Sequence, residues 1–455
     1  MPASSASNAL AFAPNLATLE AAIAQLAREP GGGVVAPATR RDALARFGDL
    51  PIPGGRRPGG WKYDYGALAL ADLSWRSARV RAESAPFVPA TPSGEPADPL
   101  ALANAGGLVH LGGTYLEAPQ RPTLDPRIVV VPLADAFTTH APQLERILHR
   151  IVDWRSERFA ALAAAFQNAG AFVYVPDGVV LAAPVVLVFA DRGSAEAEAV
   201  FPHVVVALGA GARATVIERH FGEGANFVSA VVEAEVGDEA ALEYVVMQRA
   251  SDEARLFATR GSRCGRGARI HWRLAELGSA LSRSVVDARL GSEGSEAEID
   301  ALFFNTEDQH VDLVTTTCHE VGHTRSHTVV RSAATDRGQG RYFGNIAIRE
   351  HAHGSDAALR DDALLLSEHA HIDSIPALEI AANDVKAFHG ATVGSIDEEA
   401  LFYAQSRGLA RRDAKRMIAL GFFEPALVRT GGEDLRDEIR AALDEKVARA
   451  TEDEP

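Results

Sequence analysis

The chain has 455 residues, with 61 Asp and Glu against 45 Lys and Arg, for a formal net charge of -16. That acid excess argues against a phosphate-backbone binder, which needs a basic face to displace counterions. Two cysteines, Cys264 and Cys318, exclude a disulfide framework, and also an all-cysteine zinc or iron–sulfur site built from this chain alone. Hydrophobic residues at 47% describe a folded protein with ample core, at a length that fits about three domains. The first basic residue is Arg28, so the start lacks the positive end of a signal peptide. The most apolar stretch, 178–190, is too short to span a bilayer. The expected address is the cytoplasm, with neither nucleic acid nor membrane as a partner.

In chain order, Leu16, Leu19, Ile23 and Leu26 recur at helical steps before Pro30-Gly31-Gly32-Gly33. A turn-rich loop runs into Trp61-Lys62-Tyr63, and five prolines over 86–99 mark an exposed connection. A long amphipathic helix is expected over 143–167, with Leu144, Ile147, Leu148, Ile151, Phe159, Leu162 and Phe166 inward. From Ala171 to about Val385 the period changes to 2, in short pieces rich in Val, Ala and aromatics. Turn signals at Gly211, Gly237, Gly267 and Gly294 fall 26, 30 and 27 residues apart. That spacing favours a β-helix or solenoid over an irregular β-sandwich, whose turns come every 8–12 residues or so. Helices return at the end. Ser395 with Glu398 reads as a capping box, and Gly408 as a C′ residue. A second helix is expected over 413–420, ending at Gly421. A third carries Leu435, Ile439, Ala442, Leu443 and Val447 on one face.

His319-Glu320-Val321-Gly322-His323 is a literal HExxH, the zinc-peptidase pattern when it lies on a helix. Its neighbours Val314-Thr315-Thr316-Thr317 and Thr328-Val329-Val330 are β-branched and favour strand. On a strand, residues four apart lie about 13 Å from each other, too far to share one ion. The motif is therefore expected at a strand or strand–loop junction without metal. A His-rich metallohydrolase using it stands as the rival reading, and a carbohydrate-active β-helix enzyme as another. Nine of the 15 His fall between His310 and His389, a density that suits metal handling, although each alone reads as a solvated residue. No GxxxxGK[ST] loop occurs, so nucleotide chemistry has to come from a partner.

Leu364-Leu365-Leu366-Ser367, the run from Ile372 to Ile380 (IDSIPALEI) and the run from Asn383 to Gly394 (NDVKAFHGATVG) resemble the SufB/SufD family. These are the β-helix subunits of the Suf iron–sulfur cluster assembly machine. The similarity continues through Ser395-Ile396-Asp397, Leu401-Phe402-Tyr403 and Gln405-Ser406-Arg407-Gly408, with Gly344-Asn345-Ile346 upstream and, more weakly, Trp61-Lys62-Tyr63. Within the family the scarcity of cysteine resembles the SufD type, and Ala387 stands where the family often has a Cys two residues before the HGATVG histidine.

The resemblance implies a mainly β protein. A central right-handed parallel β-helix (171–388) would lie between a helical N-terminal domain with loops (1–170) and a helical C-terminal domain (389–455). It implies a non-catalytic scaffold subunit that pairs with a SufB-type paralogue and docks a SufC-type ATPase, supporting iron acquisition and cluster formation. A homodimer of the isolated chain stays open. No cofactor is expected to be held tightly by the chain alone, with iron or a nascent cluster present in the complex. His389 is the candidate ligand at a subunit interface near the end of the β-helix. Its alternative role is a loop residue holding a β-to-helix corner. For ATPase docking the candidates are Phe402, Tyr403, Ser406, Arg407, Met417 and Phe422, on helices expected to cap the β-helix with one face and dock with the other.

Overall fold

The computed structural model describes residues 35–51, 125–192, 198–429 and 432–450, with short pieces between 24 and 117. The expected helix around Leu16 to Leu26, Trp61-Lys62-Tyr63, the proline-rich 86–99 connection and the acidic tail 451–455 lie outside the described residues.

From Ala169 the chain winds as a two-sheet solenoid, meeting the expectation of a β-helix. One sheet carries Ala169–Val175, Pro202–Leu208, Phe227–Val236, Arg255–Cys264, Leu281–Leu290, His310–His319, Gln339–Ile348 and His371–Ile380 in spatial order. The other carries Val185–Arg192, Arg213–Glu223, Ala241–Arg249, Arg269–Glu276, Glu296–Asn305, Arg325–Ala334, Asp356–Leu365 and Lys386–Ser395. Neighbours in these two series are parallel. Register pairs such as Arg255 with Leu281, and Ala169 with Pro202, set one turn at 26 to 33 residues.

The turns are in register because one corner residue per turn adopts a left-handed backbone. Gly178, Gly211, Glu239, Gly267, Gly294, His323 and Gly354 all have φ between 57° and 74°. Each donates its N–H to a carbonyl one turn on, as Gly211 does to Asp238 and His323 to His353. Three of the four glycines singled out from sequence hold this corner. The fourth, Gly237, lies two residues before it, where a Cβ would meet the Leu208 carbonyl at 2.7 Å.

Inward side chains of both sheets form the main core, among them Val206, Val232, Tyr244, Trp272, Ile299, Leu313, Tyr342 and Leu359. Helices cover the outer faces. Helix α1 (Pro37–Asp49) has Pro at its start, where the missing N–H costs nothing. Helices α2 (Leu133–Thr139) and α3 (Ala141–Glu145) lead into α4 (Arg158–Phe166). The alanines of α4 let it lie close on the first sheet, with Phe159 stacked on Phe257 at 3.9 Å. Buried Arg40 of α1 donates to the carbonyls of Ala165 and Gln167 at the end of α4, where a cation complements the helix dipole.

Helix α5 (Glu398–Ser406) follows the last strand, and α6 (Arg411–Val428) and α7 (Glu433–Ala450) complete the described chain. The expected face of α7 is the buried one: Leu435, Ile439, Ala442, Leu443 and Val447 pack with Phe304, Leu302 and Met247 on the outer face of the second sheet. Lys446 beside them is buried and donates to the Leu277 carbonyl and to Gln309 Oε1, at 2.7 and 2.6 Å.

Several expectations are corrected. The helix over 143–167 is broken: α3 ends at Glu145, and α4 starts only at Arg158. Between them the buried Glu233 carboxylate takes the N–H groups of His149, Ile151 and Val152, and His149 is held at φ 60°. Glu157 then caps α4 through Ala160 N–H. The region before 171 is not purely helical, since Val129–Pro132 and the hairpin of Leu108–Leu111 with Thr114–Glu117 extend the two sheets. The change from strand to helix falls after Ser395 rather than at 389, so His389 is a strand residue and holds no corner. The α5 cap is Asp397, whose carboxylate accepts Glu399 N–H, and Ser395 ends the strand. Helix α6 runs through Gly421 and Pro425, because burial of Phe423 against Phe304 outweighs the local helix breakers. Helices α6 and α7 do not cap the solenoid; they fold back along its flank.

Candidate functional site

Both sheets end at the C-terminal side on an unpaired parallel edge, His371–Ile380 in one and Lys386–Ser395 in the other. Among the described residues no further strand pairs with either. Ile375, Ile380, Phe388 and Val393 are exposed there, Phe388 at 60%.

His389 lies in the middle of this last strand. Ala387 packs on the interior core and His389 is in register with interior Leu359, so alternation turns both toward the solenoid axis. Among the described residues no further turn closes over it, and His389 is exposed. One strand in, Asp361 looks the same way and is fully buried. Its Oδ2 accepts the Ser374 hydroxyl, while its Oδ1 has no hydrogen-bond partner. Burial, opposed by the Ser374 bond and aided by the charge of Asp362, pushes this carboxyl up to about 7.

A second surface lies on the C-terminal helices. Leu401 and Ala404 of α5 are buried against Ala414, which leaves Phe402 (73% exposed), Tyr403 and Met417 facing outward. Arg407 stacks over Tyr403 at 5.1 Å and donates to its hydroxyl, and Ser406 donates to the Tyr403 carbonyl. Five of the six docking candidates thus share this exposed region. Phe422 does not, being half-buried beneath Arg331 and against Phe423. His389 belongs to the solenoid end and is not gathered with them.

HEVGH occupies a strand end and the turn that follows, as expected. His319 points inward with both ring nitrogens engaged, Nδ1 by Thr324 and Nε2 by Ser326, and burial pushes its pKa down to about 4. His323 is the left-handed corner residue of its turn. Neither cysteine is poised as a nucleophile: both are buried, and burial pushes the Cys264 thiol up to about 12 and raises that of Cys318.

Three groupings escaped the sequence reading. His149, His203 and Glu233 meet on the outer face of the first sheet, where Glu233 is consumed by His203 Nε2 and three N–H groups. His271, Glu298 and Asp300 meet on the second sheet, and there Arg429 at the end of α6 bonds both carboxylates at 2.9 Å. Inside the solenoid, Glu218 bonds Arg260 (2.9 Å), His220 (2.7 Å) and Tyr244. Burial alone would raise Glu218, but Arg260, His220 and Tyr244 together hold it well below the carboxylate range. The only sequence signal for the last grouping is parity: Glu218 shares an inward face with Ala214 and Val216, and Arg260 one with Leu256, Ala258 and Cys264.

A family model described as "SUF system FeS cluster assembly, SufBD core domain" matches residues 190–422, more than half of the chain. The chain belongs to the SufBD family. Among similar proteins, SufD of Escherichia coli, an iron–sulfur cluster assembly protein, is 28% identical over 298 residues, covering 64% of this chain and 70% of its own length. SufD of Bacillus subtilis is 26% identical over 336 residues, 71% of this chain and 75% of its own. A SufBD family protein of Mycobacterium leprae is 30% identical over 277 residues, 59% of this chain but 31% of its own length. The chain therefore spans under a third of that mycobacterial relative. The SufBD core match takes in the solenoid from the end of Val185–Arg192 onward, with His389, α5 and most of α6. Among the described residues no helix is long and apolar enough to cross a membrane.

Proposed function

We propose that this chain is a non-catalytic, SufD-like scaffold subunit of cytoplasmic iron–sulfur cluster assembly. It pairs with a SufB-type paralogue through the open end of the solenoid, and it docks a SufC-type ATPase on the exposed face of α5 and α6. Iron or a nascent cluster is the cargo of the joined complex, reached by His389, and the chain holds no resident cofactor. The observation that carries this reading is the uncovered last turn. Two ten-residue parallel edges with four large exposed apolar side chains offer a template for another chain.

The test is co-purification of the chain with a SufB-type paralogue, scored by size and light scattering. Burying Phe388 and Val393 supplies about 1.5–3 kcal/mol each, so Phe388→Lys with Val393→Lys is expected to weaken pairing at least 100-fold or so. The variant should keep its circular dichroism, since both side chains are exposed in the free chain. Undiminished pairing by the folded variant sinks the reading, and pairing of the chain only with itself would replace the paralogue by a second copy.

Phe402→Asp with Met417→Asp is expected to weaken binding of a SufC-type ATPase about 10- to 150-fold per buried side chain, with pairing to the paralogue unchanged. Calorimetric titration of purified ATPase checks this. Unaltered affinity would place its site off this face.

A further inference from the structure

We propose that the interior of the last turns forms a buried divalent-cation site, with Asp361 Oδ1 as its anchoring ligand and His389 as the imidazole at its mouth. This rests on the reading of the open end as the iron-handling end and names the group that would hold the ion there. Among the described residues no other buried carboxylate oxygen lacks a hydrogen-bond partner. The interior acid Glu218 is neutralised by Arg260, Glu233 by backbone and His203, and Asp300 by Arg429. Asp361 has only the Ser374 hydroxyl on its other oxygen.

One more inward hydroxyl nearby is without a partner: Ser332 Oγ lies opposite Ala363, two residues along from Asp361. Buried polar atoms in folded proteins normally find a partner, and an unexplained group points to water or an ion. Register supplies the way in: His389 pairs with Leu359 and Ala391 with Asp361, so the two side chains are diagonal neighbours on one inward face at the open end. A carboxylate and an imidazole suit Fe2+ or Mn2+. Two protein ligands leave the remaining positions to water or to a partner's side chains, which suits an ion that is handed on.

The test uses the purified full chain without partners. Anaerobic calorimetric titration with Mn2+, repeated with Fe2+, is expected to give one site per chain. Asp361→Asn should weaken it about tenfold or more through loss of the charged ligand, and His389→Ala should weaken it as well. Crystals soaked in Mn2+ give a second readout that needs no variant, with an anomalous peak expected beside Asp361 Oδ1. Binding by folded Asp361→Asn equal to that of the unaltered chain overturns the proposal, and so does a peak confined to Glu298 and Asp300. Pairing with the SufB-type paralogue is scored separately by co-purification. Pairing without cation binding would remove this site and leave the assembly reading standing.

Discussion

Replacing Arg260 by Met is expected to lower the stability of the chain by about 3–5 kcal/mol, read as a fall in the denaturant midpoint. Arg260 is fully buried inside the solenoid, 2.9 Å from Glu218 and 3.3 Å from the Ser284 hydroxyl, with the charge of Glu276 close by. Removing it leaves a buried carboxylate whose other partners are His220 and Tyr244. A buried pair contributes little net stability, but half of one is costly. Adding Glu218→Gln should therefore restore a large part of the loss, and a double variant as weak as Arg260→Met alone would contradict the pairing. The pH window follows from the same group. Because the folded carboxyl sits below its usual value of 4.5, its contribution is complete above about pH 4.5 and lost as the pH falls. Arg260→Met should flatten that acid limb.

The second large effect has the opposite direction in pH. Lys446 is buried between Leu277 and Gln309, and burial pushes its pKa down from 10.5 to about 7. Between those values the unfolded chain holds a proton that the folded chain has released. Stability therefore rises with pH across about 7 to 10.5, by on the order of 3–5 kcal/mol in all. Lys446→Met removes this titration. The difference in midpoint between the unaltered chain and the variant should grow in favour of the former as the pH is raised from 7 to 10. Parallel curves would show that the folded chain keeps Lys446 charged up to pH 10, so that it is not buried in solution.

The solenoid was legible because its corner has a backbone requirement that glycine meets most easily, and Gly211, Gly267 and Gly294 recur at two turns' and then one turn's spacing. Glu239 and His323 fill the same corner without announcing it, held by N–H bonds to the next turn. This also explains HEVGH: its second histidine is a turn residue, and the β-branched flanks were the better guide. The expected helix over 143–167 had the right buried residues, Leu144, Ile147, Ile151 and Phe159, and the wrong backbone. What breaks it is Glu233, 80 or more residues downstream, and no local period reports a distant acceptor. The apolar face of α7 could be read at once, whereas its seat on the flank depends on Phe304, Leu302 and Met247 of distant strands. For the candidate site, His389 came from family resemblance, and the exposed Phe402, Tyr403 and Met417 from an excess of apolar surface. Asp361 was invisible, because a charged residue in an alternating strand reads as outward.

The two ends of the solenoid are chemically unequal. Before Ala169–Val175 lies an antiparallel strand, Val129–Pro132, and beside Val185–Arg192 the antiparallel hairpin of Leu108–Leu111 with Thr114–Glu117. These reversals interrupt the parallel ladder, so an incoming parallel solenoid edge meets no matching template there. Among the described residues, only the C-terminal end leaves the parallel ladder of both sheets open. A rod with two equivalent ends would propagate head to tail into filaments, whereas a rod with one receptive end closes after a single union. On the proposed pairing, one receptive end limits an assembly to two solenoids, and a defined twosome needs no separate terminator.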